Sequence, residues 1–135
     1  MIRMLALPLL AAMPVVAQAQ VIEVADGDWR AIPQAQTGRA MSMSDRTMGR
    51  IEKLLGAGKC PRFGNGEHIK MDVPFLLQFD AGGAVQRVVI RRTDCPDLEG
   101  VIGGVIASRA KAGWYKPTGQ NQTGWYRSTF SYYMN

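Results

Sequence analysis

Histidine and cysteine are scarce in this chain, which has one His and two Cys in 135 residues. A closed zinc site draws on about four such ligands, and here the supply is Cys60, Cys95 and His68. No metal centre is expected. Long runs of one charge are also missing. The formal net charge is +5, but Lys and Arg are spread along the chain, which favours solubility and argues against a nucleic-acid surface. Catalytic motifs are absent as well: there is no Gly-x-Ser-x-Gly, no His-Glu-x-x-His and no phosphate-cradling glycine loop. Asp26-Gly27-Asp28 starts like a calcium loop, yet the twelfth position from Asp26 is Thr37, where an EF-hand needs a closing glutamate. The segment therefore reads as a turn, and no cofactor is expected.

What is present begins with "MIRMLALPLLAAMPVVAQAQ". A basic start, an apolar run from Met4 to Ala17 and the small-x-small triplet Ala17-Gln18-Ala19 are the parts of a secretory signal peptide. The run falls short of the roughly 20 residues of a membrane span, and Pro8 and Pro14 interrupt it. Residues 1–19 are expected to be the signal, cleaved after Ala19, with an uncleaved anchor as the competing reading, and 20–40 an N-terminal extended segment. In an oxidising compartment two cysteines of a small domain tend to pair. A Cys60–Cys95 bond would close a loop of about 36 residues, for which loop entropy gives on the order of 4 kcal/mol. The alternative is two free thiols, with Cys95 at a helix start where a thiol is more acidic.

Beyond residue 40 the periodicities alternate between helix and strand. "SMSDRTMGRIEKLLGAG" predicts a helix capped by Ser42 or Ser44, with Met48, Ile51, Leu54 and Leu55 as its apolar stripe and Gly56 or Gly58 at its end. "IKMDVPFLLQFD" and "AVQRVVIRRT" predict a hairpin about Ala81-Gly82-Gly83. Val73, Phe75, Leu77 and Phe79 would share its inner face with Val88 and Ile90, leaving Arg87 and Arg91 on an outer face that is solvated or, as the alternative, a binding patch. A second helix follows, with Asp94 as N-cap and Pro96 in its first turn. Leu98, Val101, Ile102, Val105 and Ile106 form its stripe, despite Gly100, Gly103 and Gly104. "GWYKP" reads as a short extended piece. "WYRSTFSYY" reads as a strand with Tyr126, Phe130 and Tyr132 on one face and Trp125, Thr129 and Tyr133 on the other. The fold class is α+β: a small antiparallel sheet of about three strands with two helices packed on one face.

The stretch "VPFLLQFDAGGAVQRVVIRRTDCPDLEGVIGGVIASRAKAGWYKPTG" with the aromatic strand after it resembles the C-terminal domain of TonB, the periplasmic energy transducer, to which TolA is related in fold. Phe79-Asp80-Ala81-Gly82-Gly83 corresponds to the hairpin turn, and Val85, Val88 and Ile90 to the valine strand. Thr93-Asp94-Cys95 matches the turn before the helix, Leu98-Glu99 the helix opening, and Tyr115-Lys116-Pro117 the aromatic-x-Pro element. The likeness covers about residues 70 to 135, within a domain set at 41–135. It implies a periplasmic, non-enzymatic protein-interaction domain.

The family's Tyr-Pro segment before the first strand is not evident, and the helix is glycine-rich where the family's is alanine-rich. No proline-rich spacer or inner-membrane helix is evident, so the expected role is binding without pulling. The implied partner is an envelope protein or receptor peptide. It would pair with the edge of the last strand, at Trp125, Tyr126, Arg127, Thr129 and Tyr133. The same edge can also pair two copies of the chain as a homodimer. The alternative functions are a small secreted inhibitor, a structural envelope protein and, less favoured, a secreted enzyme using Cys95 or a serine with His68.

Overall fold

A computed structural model describes residues 27–38, 43–64, 68–119 and 124–134. The expected signal and its cleavage point lie outside these residues, as do Asp26 and Ser42. The elements run β1 (Gln36–Thr37), α1 (Asp45–Gly56), a 3-10 turn (Pro61–Phe63), β2 (Ile69–Phe79), β3 (Val85–Ile90), α2 (Pro96–Lys111), β4 (Tyr115–Lys116) and β5 (Gly124–Met134).

Alternation decides the sheet. Ile69, Met71, Val73, Phe75, Leu77 and Phe79 fall on one face of β2 and are all buried. The strand lies in the middle of a three-stranded antiparallel sheet of order β3-β2-β5. It pairs with β5 along its whole length, from Ile69↔Met134 to Phe79↔Gly124. Its pairing with β3 is shorter, from Phe79↔Val85 to Phe75↔Ile90. Pro74 explains why a proline is tolerated in a central strand. Its carbonyl accepts from Arg91 N at 2.9 Å, just beyond the last β2–β3 pair, so its missing N–H falls on the side where β3 has ended. In the hairpin turn, Asp80 Oδ1 accepts from Gly82 N and Ala84 N, both at 2.9 Å, and Gly83 takes φ 79°. That value favours glycine.

Both helices cover the inner face. α1 starts at Ser44, whose side chain accepts from Thr47 N, and buries Ile51 and Leu55. α2 buries Leu98, Val101, Ile102 and Ile106, with Val105 at the margin. Of its glycines, Gly103 has the packing reason: a Cβ there would stand 3.1 Å from Ile90 Cδ1, so the helix can approach β3. Asp94 is not the N-cap. It adopts φ 62° and the cap position is Cys95, with no side-chain cap bond. The left-handed residue turns the chain sharply, and Thr93 and Glu99 take over the polar work. Glu99 Oε1 accepts from Thr93 N at 2.6 Å, while Thr93 Oγ1 accepts from Cys95 N at 3.2 Å.

Cys60 and Cys95 form a disulfide with Cα atoms 5.5 Å apart, and both are buried in the core. It joins the loop after α1 to the start of α2. Such a bond is consistent with an oxidising, exported location. Among the described residues, no helix is long and apolar enough to cross a membrane.

Residues 27–38, expected to lie ahead of the domain, are extended in β1 and pack onto the rest. Trp29 and Ala35 are buried, Ala35 within the core cluster, and β1 pairs antiparallel with β4.

Candidate functional site: the outer side of β5

Sequence alternation sends every second residue of β5 outward. Tyr126, Phe130 and Tyr132 face the core, where Tyr126 meets Phe79 edge-on at 5.3 Å between ring centroids. Tyr132 Oη donates to Glu52 Oε1 at 2.7 Å, which ties the strand to α1. Burial pushes the Tyr132 hydroxyl up, and the Glu52 bond acts in the same direction. Trp125, Arg127, Thr129, Ser131 and Tyr133 are on the other face, and Tyr133 is the exposed large hydrophobic at 57%. Of the five residues expected to serve a partner, Tyr126 is thus spent on packing.

The backbone follows the same alternation. Arg127 N donates to Pro33 O and Ala35 N donates to Arg127 O, both at 2.9 Å, forming a short parallel bridge through Gln34. Both main-chain groups of Arg127 therefore point away from β2. Antiparallel alternation then turns those of Thr129, Ser131 and Tyr133 the same way. After Ala35 the chain leaves β5 for β4, and Gly38 N bonds Trp114 O. The edge is capped by the chain itself at Arg127 and is uncapped by any described residue from Thr129 to Tyr133.

Over the capped part, residues 27–35 form a strap across the outer face. The Arg127 side chain donates through Nε to Ile32 O at 2.8 Å, and Thr118 Oγ1 donates to Gln34 O at 2.9 Å. Arg91 lies 3.8 Å above the Trp29 ring and donates through Nη1 to Gly27 O. Arg87 stands over Trp125 at 5.7 Å. The two arginines do share the outer face of the hairpin, but each is stacked on an indole and is not simply solvated.

Around the uncapped part, Asp72 organises the surface. Ser131 Oγ and Tyr133 Oη both donate to its Oδ1 at 2.6 Å. These two bonds hold the Asp72 carboxyl below its ordinary value, and the Asp72 bond pushes the Tyr133 hydroxyl up.

A cleft of about 230 Å³ opens where the two parts meet. Asp28, Trp29, Arg30, Arg91, Arg127 and Thr129 are among its walls. Arg30 forks onto Asp28, with Nη2 at 2.7 Å from Oδ2, and this pairing lowers the Asp28 carboxyl to about 2. Trp29 Nε1 is buried without a hydrogen-bond partner among the described residues. A larger open groove of about 450 Å³ separates the start of α1 from α2, between Ser44, Thr47, Gly100, Gly104 and Trp114.

Two of the chemistries weighed from sequence can be checked among the described residues. Both cysteines are bonded, which removes the thiol that a Cys95 nucleophile requires. No group of His, Cys, Asp or Glu is placed to hold a metal ion. Sequence reasoning passed over Trp29, Asp72 and Ser131, and took Arg91 first as a residue of a solvated face. Asp72 and Ser131 become neighbours only through the β2–β5 register, and Trp29 lies in a polar stretch without periodicity.

No family model matches the chain, and no curated protein or solved structure matches it either.

Proposed function

We propose that this chain is a non-enzymatic periplasmic interaction domain of the TonB C-terminal kind, which binds an extended segment of another envelope protein by adding it as a strand beside β5. The observation that carries the reading is the row of outward main-chain groups at Thr129, Ser131 and Tyr133, which no described residue meets. An extended peptide supplies the missing partners by β-augmentation, and the outer-face side chains set its register. The strand–strand–helix–strand order around this edge supports the family resemblance, and the disulfide supports residence in an oxidising compartment. A second copy of the chain is the competing occupant of the same edge.

The test is titration of the isotope-labelled mature protein with peptides from TonB-dependent receptors, followed by amide NMR. Shifts along 128–133 that leave α1 unmoved are expected. Peptides that shift nothing on β5 would sink the proposal, and concentration-dependent dimerisation through β5 would replace the peptide by a second copy.

A further inference from the structure

The cleft at the strap is rich in donors and poor in acceptors. Arg91 spends one N–H on Gly27 O and Arg127 spends one on Ile32 O. Most of the N–H donors of both guanidiniums therefore meet no acceptor among the described residues. The one carboxylate in the wall, Asp28, is held by Arg30, from both its main-chain N and its guanidinium. Trp29, only 4% exposed, adds an indole N–H with no partner among the described residues. A buried donor such as this indole N–H is rarely left so, because it forfeits the water it once had, whereas Arg91 is half-buried and Arg127 exposed. The cleft also begins where the uncapped edge begins, since Thr129 belongs to both.

We propose that the cleft recognises a carboxylate, carried by an acidic residue of the extended segment that pairs with β5. The inference rests on the edge-pairing reading and adds its specificity: the preferred strand carries Glu or Asp at the end lying beside Arg127. A carboxylate offers two oxygens to planar guanidinium forks, which suits Arg91 and Arg127 better than a neutral amide does. Trp29 lines the cleft, so a carboxylate held there changes the surroundings of its ring. The indole resonance of Trp29 is consequently a local reporter.

The experiment uses the mature, disulfide-bonded chain labelled with ¹⁵N. Two capped hexapeptides are compared, alternating Thr and Val and differing only by Glu or Gln at one terminal position. Glutarate and inorganic phosphate are titrated separately. The expected result is that the Glu peptide binds about tenfold tighter than the Gln peptide, with roughly half of that preference lost at 0.5 M salt. The Glu peptide and glutarate should both shift the Trp29 indole, assigned with Trp29→Phe.

Equal affinity for the two peptides, with shifts confined to 129–133, overturns the carboxylate site and leaves edge pairing standing. A Trp29 shift with glutarate and no binding of either peptide keeps the carboxylate cleft and overturns edge pairing. Phosphate shifting Trp29 where glutarate does not overturns the carboxylate assignment, and silence in every arm overturns both. Arg127→Gln should abolish the Glu-over-Gln preference. The peptide pair alone decides the matter if that variant does not fold.

Discussion

The two halves of β5 are treated differently although they share one alternating sequence. From Trp125 to Ser128 the outer side is covered: the strap bridges Arg127, and its indole stacks under Arg91. From Thr129 to Tyr133, among the described residues, the outer side carries its own side chains and the Asp72 contacts. The inner side is equally well packed in both halves, by Tyr126 in one and Phe130 in the other. The strand is therefore fixed by its inner face, and the outer face is available for a different purpose. Edge strands are usually blunted, and here the blunting stops midway.

The comparison can be broken most severely from the inside. Phe130→Ala removes a side chain that is 1% exposed and should cost about 3–5 kcal/mol in chemical denaturation. Its outward neighbour Thr129→Ala should change stability by less than about 0.5 kcal/mol. A similar loss from both would abolish the distinction between the faces. Next in size, replacing Cys60 and Cys95 together by alanine should cost about 2–4 kcal/mol, read as a lower denaturation midpoint.

Trp29→Ala acts on the covered half alone. We expect about 2 kcal/mol, below the usual cost for a buried tryptophan, because the strap can detach instead of leaving a cavity. Amide exchange should accelerate at Ala35 and Arg127 while Phe130 keeps its protection. Uniform acceleration would mean that the strap and sheet unfold as one unit.

The smallest effect is that of pH. Asp28 has an ordinary value of 3.8 and a folded value of about 2 because of Arg30. A depressed carboxyl contributes stability above the ordinary value, and that contribution disappears as pH falls through the folded one. Asp72 is depressed too, so its grip on Ser131 and Tyr133 also weakens at the acid end. Carboxyl NMR titration should give an Asp28 midpoint near 2. A midpoint near 4 would remove the Arg30 pairing from solution.

Much of this architecture is legible in sequence because it depends on local periodicity. The period-two run of β2 sends Val73, Phe75 and Leu77 inward, and the helical spacing of α2 buries Leu98, Ile102 and Ile106. The Cys60–Cys95 bond could be read from scarcity, since two cysteines have one pairing available. The α2 cap is not legible in sequence because Asp94 has the chemistry of a cap, while the backbone uses it for a left-handed turn. Arg109 also misleads: it lies in the last turn of α2, where a cation suits the helix dipole. Yet it is 6% exposed and packs near Trp114 and Phe130. The strap and cleft were illegible because Trp29, Arg91 and Arg127 meet only after two distant strands are in register.

The central position of β2 carries a consequence for the order of assembly. Its longest partner follows it across the second helix, as the pairing of Ile69 with Met134 requires. A chain emerging from its N-terminus can close the β2–β3 hairpin early, but one flank of β2 then waits for β5. During that interval a strand bearing Val73, Phe75, Leu76 and Leu77 presents unsatisfied main-chain groups beside apolar side chains. A chain cut short before Gly124 should accordingly accumulate as aggregate.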